Sequence, residues 1–406
     1  MNRRVLLAGA AVALGGLAAA AWRLWPREGF WNPCRAALPP RLAAHPLVTE
    51  AWEGIDPAAM WDAHAHLVGT GDSGSGIHVN PRMESLLDPG QYARRLFFLN
   101  AGCAHDAPGN VDRAYVERMR NLVDGLRPGA KLLLFAFERA YHENGEPDLE
   151  RTTFHVPDDY ARDIARGDPG YFEWAASIHP YRRDCVGQLE SAKREGARAV
   201  KWLPSAMGID PASPRCDLFY DKMRDMNLPL ISHAGEERAA LGREAHDFGN
   251  PLRLRRALEA GVRVVVAHCA SLGQDRDLDR GGSSVESFSL FERMMGESRY
   301  GERLFGDISA MTQVSRAGPN LARVIERTEW HARLLNGSDY PLPGVMPIFS
   351  VDYLVSLKMV EPAAADTLRE IRLHNPLLFD FVLKRHLRSN GKALNASVFE
   401  TRRFFV

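Results

Sequence analysis

Short apolar segments alternate with longer amphipathic segments along the chain from about residue 60 onward. The apolar segments are rich in Val, Ile, Leu and Phe, which favour β-strands, and the segments between them have helical periodicity. This pattern predicts eight strands, at Met60–Leu67, Lys131–Glu138, Tyr171–His179, Ala197–Leu203, Leu228–Ala234, Val262–His268, Arg303–Ile308 and Ala332–Ser338. It predicts helices between them, for example at Val111–Leu126, Cys185–Glu195, Leu252–Ala260 and Leu321–Thr328.

Regular alternation of strands and helices is typical of an α/β protein with a parallel sheet. Eight such units over roughly 320 residues fit a (β/α)8 TIM barrel. The alternative is a doubly wound open sheet. The barrel is predicted at residues 59–390, after a linker or N-terminal extension at 26–58 and before a C-terminal tail at 391–406.

Residues 1–25 have the composition of an export signal. Arg3 and Arg4 precede an uncharged run, residues 5–21, that is rich in Ala, Leu, Val and Gly. About 17 apolar residues are at the lower limit for crossing a bilayer. Side chains that favour a membrane interface follow directly, namely Trp22, Arg23 and Trp25. We therefore expect a cleaved signal peptide or an apolar N-terminal anchor helix that can associate with the membrane, and a periplasmic or outward-facing protein. The alternative is a buried N-terminal helix.

The overall charge of the chain is balanced. Lysine plus arginine and aspartate plus glutamate number 51 each, so no net positive field attracts nucleic acid, and a small-molecule substrate is expected instead. The five cysteines form no CxxC pair, which disfavours a zinc ribbon or a dense disulfide scaffold. One or two disulfides can still form after export. The sequence gives no indication of the oligomeric state.

The first predicted strand ends in Asp62-Ala-His64-Ala-His66. Residues i and i+2 of a strand face the same side, so the two histidines are predicted to point together, with Asp62 on their side. The C-terminal ends of all strands of a TIM barrel meet on one face, where residues distant in sequence come together. The two imidazoles are therefore candidate ligands of a metal ion. The alternative is a pair of buried or surface histidines that binds no metal.

The ends of other predicted strands carry further candidate residues for the same metal site. His233 and His268 end apolar strands five and six, which is costly unless each imidazole is hydrogen-bonded or bound to a metal. Asp339 follows strand eight and could alternatively cap a helix. Lys201 lies inside the apolar strand four, so its ammonium must be paired, neutral or modified.

The order of these residues resembles the amidohydrolase superfamily of metal-dependent barrels. Local segments between about residue 60 and residue 388 resemble the amidohydrolase-related branch, which includes aminocarboxymuconate-semialdehyde-decarboxylase-like proteins. These segments are Ser177-Ile-His179-Pro-Tyr, Val200-Lys201-Trp-Leu-Pro, Ile231-Ser-His233-Ala-Gly, Asn250-Pro251, Ala267-His268-Cys-Ala-Ser, Gly337-Ser-Asp339-Tyr-Pro and Asn375-Pro-Leu-Leu-Phe.

The resemblance implies a ligand set and roles for its members. One divalent metal, most often zinc, is expected to be bound by His64, His66, His233 and Asp339. Asp339 would then accept a proton from a metal-bound water, and His268 would stabilise an oxyanion or relay protons. In relatives with two metals the strand-four lysine is carboxylated and bridges them. Lys201 would take that role here, and His233 with His268 would hold the second metal.

The resemblance implies a metal-dependent hydrolase of an amide, ester or lactone. The alternatives are a decarboxylase on the same metal, with Arg182 or Arg316 holding the carboxylate, and a catalytically silent barrel that acts in binding. The Gly-rich stretch Gly69–Gly76 is expected to be a mobile lid or a passive surface loop. Candidate substrate contacts after strands two, three and five are Glu138, His142, His179, Arg182 and Glu236, and the alternative is that each is a solvated loop residue.

Overall fold

The computed structural model describes residues 28–238, 240 and 243–406. All eight predicted strands are present, and each lies within its predicted range. They are β1 Trp61–His66, β2 Lys131–Phe135, β3 Phe172–Ala175, β4 Val200–Trp202, β5 Leu230–His233, β6 Val264–Ala267, β7 Leu304–Asp307 and β8 Leu334–Leu335. The observed strands are shorter because the apolar sequence continues into buried loops at their ends.

The eight strands close into a parallel barrel. β1, β2 and β3 pair in that order, and β4 to β8 pair in sequence order. The two groups join where Lys201 N donates a hydrogen bond of 2.7 Å to Ala176 O, and again where Ala63 N donates one of 3.0 Å to Asn336 O. The predicted TIM barrel is therefore confirmed.

Helices follow the strands around the outside of the barrel and extend it at both ends of the chain. In the residues described, the α-helices are Pro40–Ala43, Pro46–Ala51, Pro89–Ala101, Val111–Asp124, Asp158–Gly167, Cys185–Arg194, Pro204–Met207, Asp217–Asp225, Arg255–Glu259, Ser287–Met295, Pro319–Glu326, Val351–Ser356, Ala365–His374, Pro376–His386 and Arg402–Phe405. The helix predicted at Leu252–Ala260 is divided into a 3-10 turn, Pro251–Leu254, and an α-helix. Asn250 caps that turn by accepting a hydrogen bond from Leu252 N.

The N-terminal end of the barrel is filled by the end of the chain. Phe404 and Phe405 join the apolar cluster inside the barrel, where Phe405 stacks on Trp61 with 6.0 Å between ring centroids. Thr401 Oγ1 donates a hydrogen bond to Trp61 O. The segment 391–406, predicted as a tail, is thus physically part of the barrel.

The N-terminal extension packs on the outside of the barrel. Trp52, which follows helix Pro46–Ala51, contacts Phe381 with 4.4 Å between ring centroids. A disulfide joins Cys34 to Cys103, just after helix Pro89–Ala101, in agreement with the expectation of one or two disulfides. The other cysteines are free and buried.

The predicted signal peptide or membrane anchor, residues 1–25, lies outside the described residues. Within the described part of the chain, no helix has both the length and the apolar character needed to span a bilayer. Export and membrane association through residues 5–21 therefore stay predictions.

Candidate metal centre

A β-bulge in β1 determines which side chains point into the barrel. Between Asp62 and Ala65 two residues of β1 lie opposite one residue of β2. Such a bulge reverses the side that the following residues face. Ala63 accordingly packs inside the barrel and Ala65 in the outer core. His64 and His66 therefore face inward while Asp62 does not, and the predicted shared side of the three is wrong.

Asp62 instead connects β1 to the segment after β8. Its Oδ1 accepts hydrogen bonds from the backbone N–H groups of Ser338 at 2.8 Å and of His64 at 3.1 Å. Gly337 is needed at this contact, because a Cβ there would lie 2.5 Å from the Cβ of His64. The close approach of β1 and β8 brings Asp339 beside the two histidines.

All six predicted site residues line one cavity at the C-terminal end of the barrel. They are His64, His66, Lys201, His233, His268 and Asp339. Residues from β1, β4, β5, β6 and the segment after β8 converge there, as the topology of the barrel requires.

Imidazole nitrogens surround the carboxylate of Asp339. The Nε2 atoms of His64 and His66 lie 3.3 Å apart, and Asp339 Oδ1 is 3.4 Å from the first and 3.1 Å from the second. The Nε2 of His268 is 3.9 Å from Asp339 Oδ2. Ligand atoms of His64, His268 and Asp339 all lie within 4.8 Å of one another, close enough to contact one ion.

Hydrogen bonds on the far side of two rings fix their orientation. His64 Nδ1 lies 2.9 Å from Asp307 Oδ2, and His268 Nδ1 lies 3.0 Å from Ser309 O. Because these oxygens can only accept, both Nδ1 atoms carry the proton, and both Nε2 lone pairs point toward Asp339. This arrangement of outer partners and inward lone pairs is the one that metal-binding histidines use, so the residues fit a divalent metal.

His233 supplies a further nitrogen. Its Nε2 is buried and has no hydrogen-bond partner among the residues described, while its Nδ1 lies 3.4 Å from Glu237. Burial, partly opposed by Glu237, lowers the pKa of His233 to about 4, so the ring is neutral at pH 7. A buried imidazole nitrogen without a partner is unfavourable unless something binds it. The rings of His233 and His268 are 5.2 Å apart.

Lys201 is fully buried at the base of the cavity. Its Nζ lies 3.2 Å from His64 Nε2 and 4.9 Å from the ring centroid of Phe135. No carboxylate forms an ion pair with it in the part of the chain that the structure describes. Burial lowers the pKa of Lys201 to about 8, which makes the neutral amine accessible for modification. Carboxylation of this lysine stays a prediction.

Asp307, at the end of β7, connects the two fixed histidines and was missed by the sequence analysis. Besides accepting from His64 Nδ1, it accepts hydrogen bonds from the backbone N–H groups of His268 at 2.9 Å and Ser309 at 3.0 Å, and from the Ser309 hydroxyl. Its position could have identified it as a candidate site residue, because Asp307 lies at the end of a predicted strand, as His233 does.

The backbone after β6 is held in an unusual conformation. His268, Cys269 and Ala270 all have φ near the left-handed region, at 55°, 51° and 50°, and Asp339 has φ 62°. Non-glycine residues adopt such values at an energetic cost that the surrounding structure must offset. The bonds from His268 N and Cys269 Sγ to Asp307 supply part of that compensation.

The walls of the cavity are largely apolar. They come from the loop after β1, from helix Pro89–Ala101 and from the short antiparallel pair His78–Val79 with Phe154–His155. The apolar lining comprises Val68, Ile77, Val79, Met83, Phe98, Leu99, Phe137, Phe154, Val156, Leu203, Leu272 and Leu342. Charged or amide side chains beyond the six are Arg95, Glu237, Arg238, Gln313 and Arg316.

The substrate contacts predicted from sequence are not among the residues that line this cavity. Arg182 forms ion pairs with Glu138 and Asp184. His179 bonds to Met207 O through Nε2 and accepts from Tyr181 N through Nδ1, so both of its ring nitrogens are used. The remaining two, His142 and Glu236, also lie away from the lining, and Glu237 lines the cavity in place of its neighbour.

The Gly-rich stretch Gly69–Gly76 is anchored by one carboxylate. Asp112 accepts hydrogen bonds from Thr70 N, Gly71 N, Ser73 N and both hydroxyls of Ser73 and Ser75. Asp72 in turn accepts from Val111 N at 2.7 Å, at the start of the helix that carries Asp112. Of the two expectations for this loop, these bonds favour a passive surface loop over a mobile lid.

Comparisons with known proteins give the following similarities. Solved structures that are similar include an uncharacterised TIM-barrel protein from Bordetella bronchiseptica, with 16% identity and a TM-score of 0.45 over 76% of this chain and 94% of that one. A putative 2-pyrone-4,6-dicarboxylic acid hydrolase from Pseudomonas putida has 17% identity and a TM-score of 0.41 over 79% and 97%. The 2,6-dihydroxybenzoate decarboxylase from Rhizobium has 11% identity and a TM-score of 0.41 over 79% and 97%.

No match was found among curated protein sequences. The comparison with protein families gives a match to the amidohydrolase family over residues 61–377, a range that contains β1 to β8 and all residues of the metal centre described above. That range is well over half of the 406 residues. The chain therefore belongs to the amidohydrolase family.

Proposed function

We propose that the protein is a metal-dependent hydrolase that cleaves an amide, ester or lactone bond of a small molecule. The observation that carries this proposal is the convergence of imidazole nitrogens on Asp339 in a cavity at the C-terminal end of the barrel. His64, His66, His233 and Asp339 are the proposed ligands of one divalent metal, zinc in the first place. When bound, such a metal lowers the pKa of a water molecule and polarises a carbonyl oxygen.

The residues of the chain supply the proton transfer. The carboxylate of Asp339 is positioned to accept a proton from the attacking water and to return it to the leaving group.

The tautomer of His268 favours one of its two expected roles. Because Nδ1 donates to Ser309 O, the Nε2 that faces Asp339 lacks a proton. A nitrogen in this state can accept a proton or bind a metal, but it cannot donate a hydrogen bond to an oxyanion. We therefore assign His268 to proton relay, or to metal binding if a second ion is present.

The site is compatible with one metal or with two. A second metal would need a carboxylated Lys201 as a bridge, with His233 and His268 as its other ligands. The burial of Lys201 beside His64 Nε2 is compatible with both arrangements. We propose one metal per chain as the simpler case.

We also propose that the protein works outside the cytoplasm. The disulfide between Cys34 and Cys103 supports this location, because disulfides persist in oxidising compartments. The apolar run at residues 5–21 is consistent with export.

The proposal is tested by metal analysis and activity on the same preparation. The full chain is purified without chelators, its metal content is measured by mass spectrometry, and ester, lactone and amide panels are assayed. We expect about one equivalent of zinc, and hydrolysis that a chelator abolishes and added zinc restores. Hydrolysis that survives complete metal removal would refute the proposal.

The same experiment separates the alternatives. Carbon dioxide release from a carboxylic-acid panel, without hydrolysis, would identify a decarboxylase instead. Less than about half an equivalent of metal together with no turnover on any panel would favour a silent barrel.

A further inference from the structure

Arg316 lines the cavity beyond the six residues of the metal centre. It is 9% exposed, and its only side-chain hydrogen bond among the residues described is from Nη1 to Ser271 Oγ, at 3.3 Å. Its Nε is buried without a partner. No acidic side chain of the described residues forms an ion pair with it. A guanidinium carries five N–H donors, so this one is left largely unsatisfied.

Arg316 differs from the other buried or cavity-lining arginines considered next, because their guanidinium groups have more hydrogen-bond partners or an acidic partner. Buried Arg372 donates hydrogen bonds to the backbone oxygens of Pro343, Val345 and Phe349. The other two arginines that line the cavity are paired with acids outside it. These pairs are Arg95 with Glu84 and Arg238 with Glu236.

Gln313 adds a second unsatisfied donor at the same corner. It lies one turn before Arg316, whose backbone N–H donates to Gln313 O at 2.9 Å, and both side chains line the cavity. The Gln313 amide is 9% exposed, and its Nε2 is buried with no hydrogen-bond partner in the described chain. Donors on two neighbouring side chains match an acceptor with two oxygens, and a carboxylate is the one that arginine binds best.

The rest of the lining limits the other part of the ligand. Phe98, Phe154 and Leu342 are among the apolar side chains that form the walls, and the two acidic side chains, Glu237 and Asp339, stand beside histidines. Apolar walls favour a ligand surface without further charges. Among the described lining residues other than the six of the metal centre, Arg316 is the one cation without an acidic partner, so one negative charge is matched.

We infer that the substrate is a monocarboxylic acid with an apolar body, whose carboxylate binds Arg316 and Gln313 and whose body lies along the apolar walls. The bond to be cleaved then faces Asp339. This inference deepens the proposed function, because it names the class of acid that the hydrolase accepts. It predicts binding that does not require turnover.

The test measures binding of three probes to the zinc-loaded protein by calorimetry. They are 4-phenylbutyrate, the matched neutral alcohol 4-phenylbutanol, and succinate as a short polar diacid. We expect 4-phenylbutyrate to bind about 10- to 100-fold more tightly than the alcohol, the range for a hydrogen-bonded charge, and more tightly than succinate. Equal binding of acid and alcohol, or a preference for succinate, would overturn the inference.

Variants locate the carboxylate. Arg316→Gln is expected to lose the preference for acid over alcohol, whereas Arg238→Gln, a cavity arginine paired with Glu236, should retain it. Gln313→Leu should reduce the preference in part, and thermal unfolding checks that each variant is folded. A preference that survives in Arg316→Gln but disappears with a chelator would place the carboxylate on the metal and refute the assignment. Binding of the probes is measured directly and does not depend on turnover. Absence of hydrolysis would therefore refute the proposed function without refuting the carboxylate site.

Discussion

The two ends of the barrel are built from the same strands but have opposite chemistry. At the N-terminal end, Trp61 packs with Phe404 and Phe405 in a sealed apolar cluster. At the C-terminal end of the same β1, His64 and His66 face a cavity with a buried carboxylate. The direction of each strand therefore separates residues that stabilise the barrel from residues that can react.

This contrast predicts that substitutions at the two ends have separable effects. A change at the C-terminal end should reduce activity or metal affinity with little effect on folding. A change at the N-terminal end should lower the free energy of unfolding with little effect on turnover per folded molecule.

The largest effect is expected for Asp339→Asn. Loss of the proton acceptor should lower kcat/KM for the best substrate of the panels by roughly 10²- to 10⁴-fold, the usual contribution of general acid–base catalysis. The matched control is Asp366→Asn, whose side chain is 96% exposed on a helix surface. Steady-state kinetics and metal analysis check both variants. Near-normal turnover in Asp339→Asn would contradict its assigned role.

Phe404→Ala tests the opposite end. Removal of a ring that contacts Phe305 at 4.6 Å and Phe405 at 4.9 Å should lower the free energy of unfolding by about 3–5 kcal/mol. Leu87→Ala, at a side chain that is 96% exposed, should change it by less than about 0.5 kcal/mol. Urea titration provides the measurement. A large loss of kcat in the folded Phe404→Ala protein would show that the two ends are not independent.

Asp307→Asn should weaken metal binding by about 10- to 100-fold. An amide nitrogen facing His64 Nδ1 would donate to it, which forces the proton of the ring onto Nε2 and removes the lone pair that faces Asp339. Competition with a chelator of known affinity measures the change. Ser309→Ala removes a neighbouring hydroxyl but leaves the carboxylate, so it should have the smaller effect. Equal losses in the two variants would contradict control of the tautomer by Asp307.

The smallest and most local effect is expected for Asp112→Asn. Weaker hydrogen bonds to residues 70–75 should lower the free energy of local opening by about 1–2 kcal/mol. Burial raises the pKa of Asp112, but hydrogen bonds from Ser75, Thr70 and Ser73 outweigh it and lower the pKa overall. The ionised carboxylate therefore stabilises the loop fully above the ordinary aspartate pKa of about 3.9. This stabilisation is lost as the pH falls through the lower pKa that Asp112 has in the folded protein.

Hydrogen exchange of residues 70–75, corrected for the intrinsic rate at each pH, measures this opening. The exchange rates of these residues in the wild-type protein should match those in Asp112→Asn only at acid pH. Fast exchange in wild type at neutral pH would mean that the loop is mobile after all.

The strands and the donor residues could be predicted from sequence because each rests on a local pattern. Apolar runs that stop on a histidine or an aspartate identified His233, His268 and Asp339, and the same reasoning applied to β7 would have identified Asp307. The prediction that Asp62 faces the same side of the strand as His64 and His66 was wrong, because the alternation of side chains between the two faces of a strand is interrupted at a bulge. Nothing in the letters Asp62-Ala-His64 indicates one extra residue in that strand.

The walls of the cavity could not be predicted for a different reason. They depend on pairing between distant segments, such as His78–Val79 with Phe154–His155, and no local pattern encodes such partners. The carboxylate that anchors Gly69–Gly76 likewise lies on a separate helix. The candidate substrate contacts were chosen by their proximity to strand ends, and that criterion does not show which side chains pair with neighbours, as Arg182 does with Asp184.

The junction between β1 and β8 also has a consequence for folding. The hydrogen bond from Ser338 N to Asp62 joins residues 276 positions apart, and contacts of such separation form slowly. A chain in which β8 has not yet docked holds His64 without Asp339, so it offers only part of the donor set. A bound metal would then stabilise the closed barrel over every partly folded form, by mass action. If the proposed metal binds, its supply would therefore also affect how long a newly made molecule resists proteolysis.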